Sequence, residues 1–157
     1  MNTLILYATK HGAAQEIAKR IANQMDGAVL HDLKEGHLPA LASFDCVIIG
    51  SSLYAGSIRK EAKAFLAQNA TQLDGKQVGL FLSALSTGEE AKKVFDTNFP
   101  AELLQKAKAV SSLGGIFDPK KANIAERLIM KVVTKQSGYI STVDDEKIRQ
   151  FVALMKA

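Results

Sequence analysis

Four short runs rich in apolar and β-branched residues constrain the fold most: "TLILYAT" at 3–9, "CVIIGSS" at 46–52, "QVGLFLS" at 77–83 and "KAVSSLGG" at 108–115. A fifth run, "GAVLHDL" at 27–33, alternates more and reads as an edge strand. The runs at 3–9 and 46–52 are apolar at successive positions, so both faces of those strands need cover. A parallel sheet with helices on both sides supplies it.

Helical patterns fill the gaps. Between 12 and 25 the apolar positions are Ala14, Ile17, Ala18, Ile21, Ala22 and Met25, one stripe at helical spacing with Lys19, Arg20 and Asn23 facing out. Ser57 is placed to cap a second helix running to about Gln72, with Ile58, Ala62, Phe65, Leu66 and Ala70 inward. Thr87 or Gly88 opens a third that breaks near Pro100, and the last two cover 122–135 and 144–156. Strand–helix alternation of this kind predicts an α/β three-layer sandwich: a five-stranded parallel sheet, order 2-1-3-4-5, with helices on both faces. At 157 residues it fits a single domain spanning 1–157.

Such a sheet binds ligands at the carboxyl ends of its strands, where the strand order reverses. Three loops lie there. The first, Thr9, Lys10, His11, Gly12, Ala13 and Ala14, joins a strand to a helix N-terminus, where unpaired N–H groups and the helix dipole suit a phosphate. It is neither GxGxxG nor a P-loop, so a dinucleotide or nucleoside triphosphate has no support. The second, "GSSLYAGSIRK" at 50–60, offers small residues, the amphipathic ring of Tyr54, and Gly56 for an unusual backbone angle. The third, "SALSTGEE" at 83–90, brings Ser83, Ser86 and Thr87, which suit either the polar edge of a ring or the cap of a helix. Together the loops suit a planar, hydrogen-bonding ligand that carries a phosphate.

Other chemistries lack their residues. There is no CxxC or HExxH, and His11, His31 and His37 lie in separate segments without metal-ligand spacing. A phosphorelay receiver needs acidic residues at the ends of the first and third strands, which here read "YATKHG" and "GSSLYAG". The lone Cys46 reads as a buried, inert thiol. With no leader-like start and no long apolar span, the chain reads as cytoplasmic. The net charge is +4, and the stretch from Lys120 to Lys135, with Lys121, Arg127 and Lys131 against one Glu126, accounts for all of it. That argues against a nucleic-acid partner and for one local face that meets something anionic.

Read together, "TLILYATKHGAAQEIA", "CVIIGSSLYAGSIRKEAKAFL" and "AERLIMKVVTKQSG" resemble the flavodoxin family, and within it the branch containing menaquinone-dependent protoporphyrinogen IX dehydrogenase. The resemblance covers nearly the whole chain and implies FMN as cofactor. It implies that Thr9, Lys10, His11, Gly12, Ala13 and Ala14 wrap the flavin phosphate, with Ala14 where the family usually has a hydroxyl. Ser51, Ser52, Leu53, Tyr54, Ala55 and Gly56 would then flank the ring on one edge, and Ser83, Ala84, Leu85, Ser86 and Thr87 on the other. The basic insertion of the dehydrogenase beyond its fourth strand is shorter here and mixed in charge.

The resemblance implies an oxidoreductase of heme biosynthesis in which the flavin, not a side chain, carries the electrons, with a quinone or a redox protein as partner. A small electron carrier and a quinone reductase are the alternatives. Ile124, Leu128, Ile129, Val132 and Val133 with Lys121, Arg127, Lys131 and Lys135 form a basic amphipathic helix. Its stripe suits either the core or the anionic inner face of the cell membrane.

Overall fold

The computed structural model describes residues 1–135 and 138–157; the Val133 side chain and residues 136–137, part of the last motif above, lie outside the described residues. The chain runs β1 (Thr3–Ala8), α1 (Ala13–Ala22), β2 (Val29–Asp32), β3 (Cys46–Tyr54), β4 (Ser57–Ile58), α2 (Lys60–Asn69) and β5 (Gln77–Ser83). It continues with α3 (Gly88–Asn98), α4 (Ala101–Lys106), β6 (Ala109–Ser112), β7 (Ile116–Phe117), α5 (Ile124–Thr134), β8 (Ile140–Ser141) and α6 (Asp145–Lys156). The main sheet has the order β2-β1-β3-β5-β6, and these pairings are all parallel. This is the expected 2-1-3-4-5 order of the five long strands, with β2 at the edge.

Every residue of β1 is buried, as its doubly apolar sequence requires. On one face of the sheet Ile5, Ile48 and Phe81 pack against Ala14, Ile17, Ala18 and Ile21 of α1 and Ile148, Phe151, Val152 and Met155 of α6. On the other face Leu4, Leu6, Ile49 and Leu80 meet Ala62, Phe65 and Leu66 of α2 and Phe95 of α3. Cys46 is buried in the sheet, and burial pushes its thiol pKa up, which keeps it unreactive.

Three boundaries differ from the expectation. Ser57 does not cap α2: β3 continues to Tyr54, and the chain folds back so that Tyr54 pairs with Ser57 and Leu53 with Ile58, antiparallel. The Ile58 N–H donates to the Asn98 side chain at 3.0 Å, which fixes this return arm and delays the helix to Lys60. Ala70 is exposed, because α2 ends at Asn69 and the chain tightens into a 3-10 turn over Ala70–Leu73. The fifth long strand stops at Ser112 rather than running to 115. Beyond it Gly115 donates to Thr142 Oγ1 at 3.0 Å, and β7 pairs with β8 to form a two-stranded platform from which α5 projects.

Candidate functional site

β1, β3 and β5 are adjacent and parallel, so the loops at their carboxyl ends share one edge of the sheet. They enclose a cavity of about 310 Å³, within the size range of small-molecule sites. Thr9, Lys10, His11 and Ala13 form its first wall, Ser52, Leu53, Tyr54 and Ala55 its second, and Ser83, Ala84 and Leu85 its third.

The first loop is held by Gly12, whose φ of +96° carries the chain into α1 without a side-chain cap. The Gly12 N–H donates to Thr9 Oγ1 at 2.9 Å. Among the described residues the N–H groups of Lys10, His11, Ala13 and Ala14 have no partner, so the loop presents free donors beside the positive end of the α1 dipole. The Ala14 side chain does not face the cavity. It is fully buried in the packing beneath α1, and at this position only the main chain is available to a ligand.

The second loop is a two-residue hairpin turn. Ala55 (φ +50°) and Gly56 (φ +76°) both take left-handed backbone, the signature of a type I′ turn. Glycine adopts it freely; alanine does so at a cost of roughly 1–2 kcal/mol, which the surroundings must offset. Asn98 contributes to that, because its Nδ2 donates to the Gly56 carbonyl at 2.9 Å while its Oδ1 accepts from Ile58. Ser51 serves the scaffold: its hydroxyl donates to the Ser52 carbonyl at 2.8 Å and accepts the Arg59 N–H at 2.9 Å. Tyr54 is 47% exposed at the cavity rim, and Lys10 Nζ sits 4.9 Å from its ring centre, a cation–π contact that joins the first two walls.

The third loop holds the most informative atom. Ser83 is only 5% exposed, yet its hydroxyl has no hydrogen-bond partner among the described residues, and the same is true of the buried Nε of Arg59. Both residues line the cavity. Buried polar atoms without partners are costly, so two of them lining one cavity point to a ligand that supplies the missing bonds. Ser86 and Thr87 stand apart: the Ser86 carbonyl accepts from Ser112 Oγ at 3.1 Å, and Thr87 occupies the N-cap position of α3.

The fourth wall was not anticipated. Gly115, Ile116 and Phe117 form one part of it, and Glu126, Ile129 and Met130 of α5 form the other. Glu126 lies 2.6 Å from Lys10 Nζ and 2.8 Å from His11 Nε2, and Lys121 Nζ donates to the His11 carbonyl at 3.3 Å. Burial raises the pKa of the Glu126 carboxyl, but the hydrogen bonds and charges of Lys10 and His11 outweigh it and leave the group below the usual carboxylate value. The sequence carried a signal for this role, since Glu126 is the one acid between Lys120 and Lys135. Arg59 and Asn98 act across loops and carried none.

The flavodoxin domain family matches residues 4–144. The chain belongs to the flavodoxin family. Among its relatives, protoporphyrinogen IX dehydrogenase [quinone] of Escherichia coli is 25% identical over 150 residues, 88% of this chain and 81% of that one. A flavodoxin from Streptococcus pneumonia TIGR4 shares the fold with a TM-score of 0.62 at 16% identity, covering 99% of this chain and 98% of its own. A Lactobacillus acidophilus flavoprotein, solved in complex with FMN, has a TM-score of 0.52 at 17% identity over 73% of this chain and 91% of that one. In this flavodoxin-family chain the described residues contain no helix long and apolar enough to cross a membrane.

Proposed function

We propose that the chain binds FMN in this cavity and is an oxidoreductase that passes electrons from a reduced organic substrate to a quinone. The unpartnered Ser83 hydroxyl carries the reading, because it needs a polar ring edge where the third loop meets the cavity. Arg59 Nε and the free N–H groups of the first loop fit the same ligand. In this reading Thr9 to Ala14 hold the phosphate through the main chain, and Ser52 to Ala55 and Ser83 to Leu85 hold the ring. FMN, when bound, supplies the two-electron redox chemistry. The protein's own part is to orient the ring, to exclude water with Leu53, Leu85 and Met130, and to set the local charge with Lys10, His11, Arg59 and Glu126.

The E. coli relative supports a reduced tetrapyrrole as electron donor and a quinone as acceptor, with each two-electron, two-proton oxidation of the donor balanced by one quinone reduced to quinol. A lipid-soluble acceptor agrees with a peripheral membrane contact through Lys121, Arg127, Lys131 and Lys135. A carrier that delivers electrons to a protein partner is the second reading, favoured by the exposed Tyr54 ring at the cavity rim. Anaerobic oxidation of protoporphyrinogen IX by the FMN-loaded protein and a menaquinone analogue tests the first reading. Quinol and porphyrin forming together at a protein-dependent rate is the expected result. A protein that takes up no added FMN overturns both readings; one that takes it up but reduces only redox proteins leaves the carrier.

A further inference from the structure

The apolar stripe of α5 faces solvent, not the core. Ile124, Leu128, Ile129 and Val132 are 75%, 60%, 55% and 78% exposed, and no described side chain of α5 belongs to either core cluster. At spacing i, i+4, i+8, Ile124, Leu128 and Val132 form one row along the outer face, with Ile129 beside them. The helix touches the body through Glu126 and Met130, both partly buried, and Arg127 Nε donates to the Pro119 carbonyl at 2.8 Å. Ile129 belongs to both surfaces: it is half exposed and also lines the cavity, so the stripe runs into the cavity wall without a break.

We propose that α5 is a membrane-docking helix whose outer row inserts at the surface of an anionic bilayer and brings the cavity mouth against it. Charge complementarity selects this occupant. Lys120, Lys121, Arg127, Lys131 and Lys135 surround the row and are all exposed, while the one acid among them, Glu126, is turned inward onto Lys10 and His11. A second copy docked through the same row would bring two such cationic clusters together. An 11-residue helix is also only roughly 16 Å long, too small a face for the ~800 Å² per partner of a stable dimer. An apolar row flanked by lysine and arginine is the pattern of a helix lying in a bilayer interface. This inference deepens the proposed quinone reaction, on which its functional sense rests, because a lipid-soluble acceptor would reach the cavity from the membrane side.

The chain has no tryptophan, so Leu128→Trp places a single reporter on the row. Its emission should shift to shorter wavelength with vesicles of phosphatidylglycerol and phosphatidylcholine and not with phosphatidylcholine alone. The wild-type protein should sediment with the anionic vesicles, and added salt should release it. Lys120→Glu with Lys131→Glu should weaken this binding by about 25-fold or more, at roughly fivefold per lysine lost. Leu128→Ser with Val132→Ser should abolish it while leaving the melting temperature unchanged, since neither side chain is buried. No sedimentation with anionic vesicles, or equal sedimentation of the Leu128→Ser, Val132→Ser protein, overturns the proposal. A wild-type dimer in analytical ultracentrifugation that this pair of substitutions dissociates overturns it in favour of a second copy. Vesicle binding needs no substrate. If docking persists without quinone reduction, the reaction reading fails alone; if quinone reduction in detergent persists without docking, the docking proposal fails alone.

Discussion

α1 and α5 have the same kind of sequence and opposite surroundings. Both carry apolar residues at i, i+3, i+4 and i+7 with basic residues between them, and both adjoin the first loop of the cavity. In α1 the stripe of Ala14, Ile17, Ala18 and Ile21 is completely buried against β1, β3 and α6, whereas the row on α5 faces water. Helical periodicity reveals that an apolar face exists; it does not reveal what covers it. The cover is decided by connection. α1 is tied between two adjacent parallel strands and must lie on the sheet, while α5 hangs from the β7–β8 platform and meets the body at one edge only.

The sharpest way to break this comparison is to shorten one side chain on each helix. Ile17→Ala leaves a cavity in close-packed surroundings and should cost about 2–5 kcal/mol of unfolding free energy. Leu128→Ala, of similar size, should change it by less than about 0.5 kcal/mol, because its side chain is already in water. Urea unfolding of the two variants checks this, and equal losses would mean that α5 is packed in solution.

Much of the fold was legible because local pattern determined it. The five long strands and their order follow from doubly apolar runs alternating with helical stripes, and α1 and α6 lie within a few residues of their expected bounds. The two-residue strand β4 was not legible: it has no period to detect, and the left-handed Ala55–Gly56 turn before it is held at the Gly56 carbonyl by Asn98 from another element. The candidate site was legible in its three loops, since each begins where a strand pattern ends. Its fourth wall was not, because Glu126 reaches Lys10 and His11 across more than a hundred residues, and no spacing rule covers that distance. The basic segment was visible as charge, yet its two readings, core or surface, separated only when exposure could be counted.

Glu126 is the tie that makes α5 a wall of the site, so altering it sharpens the comparison next. A carboxylate on Lys10 and His11 competes with any phosphate in the first loop for the same cations. Glu126→Gln removes one negative charge from that place, and FMN should bind about tenfold more tightly, on the order of one charge-assisted hydrogen bond regained by the ligand. The same change should loosen α5: amide exchange across 124–134 should quicken while α1 is unaffected. Calorimetric titration with FMN and exchange mass spectrometry check the two halves, and weaker FMN binding would show that Glu126 positions Lys10 and His11 rather than competes for them.

The smallest effect separates the helices by pH. The Glu126 pKa is lowered in the folded protein, so its ion pairs stabilise the docked α5 fully at pH above the usual carboxylate range, and that contribution is lost as the pH falls through the lowered folded value. Exchange protection of α5, expressed relative to the intrinsic rate at each pH, should therefore hold from neutrality down to the usual carboxylate range and decline on acidification below it. α1 is held mainly by the packing of Ile17, Ala18 and Ile21, and its Glu16–Arg20 and Arg20–Asp145 ion pairs are largely exposed and contribute little, so its protection should change much less over the same window. The Glu126→Gln protein has nothing to titrate at this position, so its α5 should already show the low-pH protection at neutral pH. A decline in α5 that survives Glu126→Gln would assign the pH sensitivity to a group other than Glu126.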